Sequence, residues 1–457
     1  MCSSRQADDR ISYGCAGLGR RRFLQTALAA GAGLTILPTG ARCGPDAPSN
    51  KLNIALIGCW GRGRAHFGAV RPENVAALCD IDETHIAIAA KEFPKAKTYV
   101  DWRKCVDQKD LDAVVCSTTD HTHAFVSNWA MNRGQHVFCE KPLANTVEES
   151  RVCRAKYLKN KDKLATQVGT QRRSHPNFDR VREMILDGAV GTLRHVHAWG
   201  NRQLRRSGYL PAEGEPPAHL HYDLWIGPVT FRPYNPGYFG GSPGANCLRW
   251  NMYWDFGSGQ VGDMGAHTMD LAWNAIDADL PTSAVAHGEE FNPEVTPVEL
   301  TSTCTIPANA WRPEIRVSWY QGGHMPENPE GADLRRIGHG VMFEGDKGYL
   351  VADFGSHQLL PRPGGDLSHY QPRPAEERIP AIGGFQQQWI NACKGDLKTA
   401  CDFDYNGRAC EMMLLGLVAY RAGERIEYDG RRGRVTNNRE ANALLGREYR
   451  EGWTLEG

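Results

Sequence analysis

The chain has 457 residues, which is long for one ordinary domain and suits two. Hydrophobic residues make up 41% of it and charged residues 23%, the balance of a soluble globular protein. The 53 basic residues equal the 53 acidic ones, so the sequence lacks the basic excess with which a general nucleic-acid-binding protein neutralises phosphates. We therefore expect no nucleic-acid partner.

The N-terminus resembles a twin-arginine export signal. The segment Arg20-Arg21-Arg22-Phe23-Leu24 precedes an apolar run, and small residues follow it up to Ala41. The run has about 12 residues, fewer than the roughly 20 that span a bilayer, so we expect no stable membrane span after processing. We predict a signal peptide over residues 1–41 and a linker over residues 42–50. The twin-arginine export machinery is then a partner, and the location is periplasmic or otherwise exported.

From Leu52 the sequence alternates apolar strands with helices. Uninterrupted runs of Val, Ile, Ala and Leu indicate strands buried on both faces, as in a parallel sheet. The alternation predicts an α/β, doubly wound domain over residues 51–170. The predicted strands are Asn53–Ile57, Val75–Cys79, Ala113–Ser117, His136–Cys139 and Leu164–Val168, and the predicted helices are Thr84–Glu92, Thr122–Asn132 and Val147–Leu158.

Residues 171–457 are predicted to form a C-terminal α+β domain with an open, mostly antiparallel sheet. Several strand-like segments alternate apolar and polar residues, as strands do when one sheet face is solvated. An insertion over residues 203–251 is rich in Gly, Pro and aromatic residues, which suits sugar stacking, partner contact or simply packing on its own aromatics. The predicted strands are Leu193–Trp199, Ser283–Glu289, Glu299–Ile306, Glu314–Trp319, Gly340–Glu344 and Gly348–Ala352, and the predicted helices are Phe178–Leu186, Phe385–Cys393 and Ala409–Ala422.

A glycine-rich turn, Gly58-Cys59-Trp60-Gly61-Arg62-Gly63, follows the first predicted strand. Glycines at a strand-to-helix turn let the backbone approach a pyrophosphate at the helix N-terminus. Trp60 stands where the usual pattern has its middle glycine. Asp80 ends the next strand, about 20 residues on, where an acidic side chain binds a ribose 2′-hydroxyl and disfavours a 2′-phosphate. We predict NAD rather than NADP as the cofactor; the alternative is a tight turn without a ligand.

Two further motifs carry candidate chemistry. Glu140-Lys141-Pro142 ends a predicted strand, at the sheet edge where ligands bind, although such a charged pair is usually a solvated surface feature. Asp263 and His267 are four residues apart, so on a helix they share a face, and a histidine beside a carboxylate suits acid–base chemistry near neutral pH. The alternatives are a capping Asp with a satisfied His, or a metal site with His121 and His123. No third ligand is placed by the spacing, so we predict no metal.

With the segment Val168-Gly169-Thr170-Gln171-Arg172-Arg173, these motifs resemble the Gfo/Idh/MocA family over most of the chain. The resemblance implies a Rossmann domain followed by an open-sheet domain that carries the substrate. It implies that Lys141, Asp263 and His267 form the catalytic group, with His267 as the acid/base. The residues expected at the cofactor are Gly58, Trp60, Gly61, Arg62, Gly63, Asp80, Thr118, His121, Glu140 and Lys141, and those expected at the substrate are Arg172, Arg173, Asp263 and His267.

The expected function is oxidation or reduction of a hydroxyl on a sugar, cyclitol or glycoside. His267 would take the hydroxyl proton while hydride passes to the nicotinamide, Asp263 would orient His267, and Lys141 would hold the reacting oxygen. Because free NAD is scarce outside the cytoplasm, we expect a tightly bound, internally recycled cofactor. The alternatives are a redox-neutral glycosidase that transiently oxidises C3 and a non-catalytic sugar-binding protein. The family resemblance also implies a homo-oligomer.

Overall fold

The first sheet lies in the N-terminal part of the computed structural model, which describes residues 50–456. Its strands are all parallel and their order is β3-β2-β1-β4-β5-β6, which reverses direction beside β1. The predicted doubly wound sheet is therefore confirmed, while the predicted signal peptide lies outside the described residues. The strands are β1 (Asn53–Ile57), β2 (Asn74–Cys79), β3 (Lys97–Tyr99), β4 (Ala113–Cys116), β5 (His136–Cys139) and β6 (Thr166–Val168).

Apolar side chains cover both faces of this sheet. In β1, Ile54 and Leu56 pack into the cluster on one face, and Ala55 and Ile57 pack into the cluster on the other. Burial of both faces explains why β1, β2, β4 and β5 appear as largely apolar runs in the sequence. The connecting helices are α1 (Phe67–Val70), α2 (Glu83–Glu92), α3 (Trp102–Val106), α4 (Asp120–Asn132) and α5 (Val147–Asn160).

The second sheet has nine strands, and all its neighbouring pairs are antiparallel except the parallel pair β7 and β10. Its order is β13-β12-β11-β7-β10-β9-β8-β14-β15. The predicted open and mostly antiparallel sheet is confirmed. The strands are β7 (Leu193–Gly200), β8 (Ser283–Gly288), β9 (Leu300–Ile306), β10 (Ile315–Gln321), β11 (His339–Gly345), β12 (Gly348–Ala352), β13 (His357–Pro361), β14 (Ile426–Asp429) and β15 (Arg434–Val435).

The helices of this second part also contact the first sheet. Phe385 and Trp389 pack edge-on against Phe138 of β5, with ring centroids 6.1 and 5.7 Å away. Among residues 50–456, no helix combines the length and the apolar character needed to cross a bilayer. The helices are α6 (Pro176–Leu186), α7 (Tyr222–Ile226), α8 (Ala266–Ile276), α9 (Phe385–Lys394), α10 (Phe403–Ala422) and α11 (Arg439–Ala443).

The structure adds short strands that the sequence pattern does not predict, namely β3, β13, β14 and β15. They lie at or next to a sheet edge, and the residues of β3 are exposed or half-buried, so no apolar run marks them. Helix α10 also begins at Phe403 rather than at the predicted Ala409, because the Asp402 side chain accepts the backbone N–H groups of Asp404 and Tyr405.

The insertion over residues 203–251 packs largely on its own aromatic side chains. It is also joined to the end of β2. The backbone N–H of Glu83 donates to the carbonyl of His219 at 2.9 Å, and that of His221 donates to the carbonyl of Ile81 at 2.8 Å. The insertion therefore crosses the carboxyl edge of the first sheet, where the reversal of strand order creates a crevice for ligands.

Candidate active site

The glycine-rich turn after β1 brings three backbone segments into close contact. Gly58 has a φ of +88°, and a Cβ on it would lie 2.4 Å from the carbonyl oxygen of Ser117. A Cβ on Gly63 would lie 2.0 Å from the carbonyl oxygen of Gly58. Neither position has room for a side chain, so the backbone here can approach a ligand closely at the start of the following helix.

Asp80 and Trp60 stand beside this turn. One Asp80 oxygen accepts the backbone N–H of Cys59 at 2.7 Å, and the other accepts that of Asp82 at 3.0 Å. Trp60, at the position of the missing glycine, stacks on His85 with ring centroids 5.1 Å apart. Asp80 thus fixes the turn to the end of β2 and places a carboxylate where a ribose hydroxyl would bind.

Glu140 lies beneath the turn and accepts hydrogen bonds from two side chains. Its Oε1 accepts hydrogen bonds from Arg62 Nε at 2.7 Å and from His66 Nε2 at 2.9 Å. Burial opposes the charged form, but His66 and Arg62 outweigh it and hold the pKa of Glu140 well below its usual range. Sequence reasoning finds Arg62 and Glu140 but misses His66, which no motif marks.

Lys141 and Asp263 form a buried ion pair between the two parts of the chain. Lys141 Nζ donates to Asp263 Oδ1 at 2.5 Å, and Arg202 donates to Oδ2 at 3.0 Å. Asp263 lies in a π-helical turn, Val261–Gly265, that runs into α8. Although burial opposes both charges, their attraction raises the pKa of Lys141 and lowers that of Asp263. Lys141 therefore stays protonated and Asp263 stays ionised near neutral pH.

His267 is buried in the first turn of α8, and its Nδ1 lacks a hydrogen-bond partner among the described residues. Burial first, and then the charge of Lys141, lower the pKa of His267 to about 3. The expectation that Asp263 orients His267 and raises its basicity needs correction. Both oxygens of Asp263 bind cations instead, and the attraction of Asp263 is too weak to offset burial. His267 is therefore a neutral imidazole near neutral pH.

These side chains meet at a cavity of about 860 Å³. A smaller cavity of about 220 Å³ adjoins it and is lined by Gly58, Asp80 and parts of the insertion. Trp60 and Thr118 line both cavities. The predicted residues that line the larger cavity are Trp60, Arg62, Thr118, Glu140, Lys141, Arg172, Asp263 and His267.

Four predicted contacts line neither cavity: Gly61 and Gly63 of the glycine-rich turn, and the side chains of His121 and Arg173. His121 Nε2 donates to the carbonyl of Trp225 at 2.8 Å, and its ring packs against Trp225 and Phe256. Arg173 is half-buried, and its Nε and Nη1 atoms are buried without hydrogen-bond partners among the described residues. We correct His121 and Arg173 to supporting positions. On α4 it is His123, two residues after His121 and so on a different face, that lines the larger cavity.

Asp120 is the most informative residue that sequence reasoning misses. It is 6% exposed, lines the larger cavity, and follows the end of β4 closely, a position that could have signalled it. Burial raises the pKa of Asp120 to about 7, against the lowering effect of His123 and Lys141. Other lining residues without a sequence signal are Arg202, Asn246, Cys247, Trp250, His339 and Asp353.

We expect Asp120→Asn to stabilise the protein increasingly between pH 4 and pH 7. The pKa in the folded protein, about 7, lies above the ordinary aspartate value of 3.8, so the unfolded chain loses this proton first and stability falls as pH rises between the two values. Above pH 7 the gain should level off on the order of 2–4 kcal/mol. Urea unfolding at several pH values measures it, with Asp110→Asn, an exposed site, as control. A gain that does not change with pH would contradict this assignment.

Two family models match the chain. One, described as an oxidoreductase family with an NAD-binding Rossmann fold, matches residues 52–169. The other, described as the C-terminal alpha/beta domain of an oxidoreductase family, matches residues 200–292. The two matched stretches contain the glycine-rich turn, Lys141 and Asp263 with His267.

Curated relatives are dehydrogenases. Inositol 2-dehydrogenase 2 of Saccharopolyspora erythraea is 34% identical over 166 residues, which cover 35% of this chain and 47% of that protein. Levoglucosan dehydrogenase of Pseudarthrobacter phenanthrenivorans is 27% identical over 250 residues, which cover 50% of this chain and 54% of that protein. The chain thus spans about half the length of these curated relatives.

Among solved structures, the fold is similar to the WlbA dehydrogenase from Bordetella pertussis in complex with NADH and UDP-GlcNAcA. The TM-score is 0.57 at 16% identity, and the match covers 83% of this chain and 99% of that one. An apo levoglucosan dehydrogenase matches with a TM-score of 0.54, also at 16% identity, over 83% of this chain and 99% of that one. At such identities the likeness concerns the fold alone.

Proposed function

Because the chain belongs to the Gfo/Idh/MocA oxidoreductase family, we propose that it is an NAD-dependent dehydrogenase acting on a hydroxyl of a sugar, cyclitol or glycoside. One observation carries the proposal: the charged Lys141–Asp263 pair and neutral His267 line one cavity beside the glycine-rich turn. The names of the relatives, inositol and levoglucosan dehydrogenases, agree with a polyhydroxylated substrate.

The residues around the smaller cavity fit a bound dinucleotide. Gly58 lines this cavity, and Arg62, which lines the adjoining larger one, has its Nη2 buried without a hydrogen-bond partner among the described residues. Asp80 would accept ribose hydroxyls and repel a 2′-phosphate, which favours NAD over NADP. When bound, NAD supplies the hydride acceptor, and the protein supplies position and charge.

Lys141 and His267 would handle the substrate oxygen and its proton. The Lys141 ammonium, fixed by Asp263, donates to the reacting hydroxyl oxygen and stabilises the negative charge that develops on it. Because burial keeps His267 neutral, its imidazole is free to accept the hydroxyl proton. Arg202 holds the second oxygen of Asp263 and so keeps the carboxylate turned toward Lys141.

We expect His267→Ala to lower kcat about 10²- to 10⁴-fold while NADH affinity is kept, because only the proton acceptor is lost. Turnover of sugars, cyclitols and glycosides by purified protein measures this, and exposed His287→Ala is the control. If wild type turns over none of them and both proteins bind the same sugar equally, the chain is a sugar-binding protein. Glycoside cleavage without net NADH formation would instead assign the redox-neutral reaction.

We expect Gly63→Ala to weaken NADH binding at least about tenfold, a loss of about 1.4 kcal/mol. The new Cβ would lie 2.0 Å from a backbone oxygen, so the turn must shift. Gly68→Ala is a matched control in the same segment, because a Cβ there meets nothing within 4 Å. Calorimetric titration with NADH compares the two. Equal affinities would show that the turn does not bind the cofactor.

We also propose that the protein is exported and retains its cofactor. Trp225 and Leu220 of the insertion line the smaller cavity together with Gly58 of the first sheet. The insertion is held there by a hydrogen bond of 2.8 Å between His221 and Glu83, besides its backbone bonds to β2. A cofactor beneath this cover would leave slowly, which an enzyme working outside the cytoplasm needs.

One preparation tests export and retention separately. The full-length chain is expressed, recovered from the periplasmic fraction, filtered free of small molecules, denatured and assayed for nicotinamide dinucleotides by mass spectrometry. We expect close to one NAD per chain. Protein confined to the cytoplasm would refute export, and periplasmic protein without nucleotide would refute retention.

A further inference from the structure

A second group of polar side chains lies on the second sheet, away from the catalytic cavity. In β7, Val196 and Ala198 pack into the core shared with the helices. Because side chains alternate along a strand, His195 and His197 lie on the opposite face. Both are nevertheless buried, at 8% and 7% exposure, so they are shielded polar groups that need partners.

A carboxylate completes the group from the neighbouring strand. Glu344 of β11 pairs directly with His195 of β7 in the antiparallel register. The two imidazole rings stack with centroids 3.8 Å apart, and His197 Nε2 lies 3.2 Å from Glu344 Oε2. One potential ligand atom from each of the three residues lies within 4.8 Å of the other two.

We propose that His195, His197 and Glu344 form a binding site for a divalent transition-metal ion such as Zn²⁺. Two imidazoles and one carboxylate are ligands that Zn²⁺ and Co²⁺ accept. A nitrogen and an oxygen 3.2 Å apart can each lie about 2.1 Å from one ion, which are ordinary zinc distances. Small rotations of the two rings would bring His195 to the same ion.

Neighbouring side chains form hydrogen bonds with the ligand atoms that would not face the metal, as is usual around metal sites. Tyr320 OH lies 2.9 Å from His197 Nδ1, and Ser318 Oγ lies 2.8 Å from His195 Nε2, which leaves Nδ1 of His195 for the metal. Arg362 donates to Glu344 Oε1 at 2.8 Å and leaves Oε2 for the metal. Without a metal, His197, Glu344 and Arg362 form an ion-pair network. The experiment must therefore distinguish a metal site from this network.

The metal would have a structural role. It would join β7 to β11, whose first residue, His339, lines the catalytic cavity. None of the three ligands lines either cavity. A metal in this site should therefore take no part in the reaction proposed for Lys141 and His267.

Cobalt titration of the full-length, chelator-treated protein tests the proposal. We expect one equivalent of Co²⁺ with visible d–d absorption, displaced by Zn²⁺. Glu344→Gln and His195→Asn should each weaken binding about a hundredfold, and His287→Asn, an exposed histidine of the same sheet, should not. Tyr320→Phe keeps every ligand and should weaken binding about 10- to 100-fold, so it serves if a ligand variant fails to fold.

Three results would overturn the site. One is Co²⁺ affinity that is the same in wild type, Glu344→Gln, His195→Asn and Tyr320→Phe. Another is an intense near-ultraviolet charge-transfer band, which reports thiolate ligation and would move the metal to the buried group of Cys116, His123 and Cys139. The third is the absence of any stoichiometric Co²⁺ binding, which would leave the ion-pair network as the function of these residues.

Discussion

The ion pair between Lys141 and Asp263 is the interaction on which the catalytic cavity depends. Lys141 ends a strand of the first sheet, and Asp263 lies in the second part of the chain, so the pair joins the two across the crevice. With Asp263 only 2% exposed, loss of Lys141 would leave the buried carboxylate paired with Arg202 alone among the described residues, and loss of Asp263 would leave Lys141 without its ion-pair partner. Burial keeps His267 neutral, the charge of Lys141 adds to that effect, and Asp263 opposes it.

Glu140 and Asp263, two carboxylates that line the larger cavity, have similar hydrogen-bonding environments. Glu140 is shared by Arg62 and His66, and Asp263 is shared by Lys141 and Arg202. Each carboxylate therefore has two hydrogen-bond partners before any ligand arrives: Asp263 is bonded through both oxygens, and Glu140 through Oε1. Such fixed charges need little rearrangement during a reaction. Preorganised sites therefore stabilise a transition state better than water does. Asp120 is the exception, since it lines the same cavity with a pKa near neutrality.

Local patterns in the sequence predict most of the strands, the glycine-rich turn and the two motifs Glu140-Lys141-Pro142 and Asp263/His267, because each depends on neighbours within a few positions. Contacts between distant segments are not predictable in this way. The spacing of Asp263 and His267 suggests a hydrogen bond, but the π-helical turn and two distant cations, Lys141 and Arg202, take up the carboxylate. Likewise His121 and His123 have similar sequence settings, and only the packing of α4 decides which one lines the cavity.

Helix α9 covers part of the first sheet but is synthesised long after it. Its residues Phe385 and Trp389 cover Phe138 of β5, next to one edge of the first sheet, yet they are synthesised more than two hundred residues later. Until they emerge, one face of that sheet lacks part of its apolar cover. A fragment cut after β6 would therefore expose the apolar surface that α9 covers in the full chain.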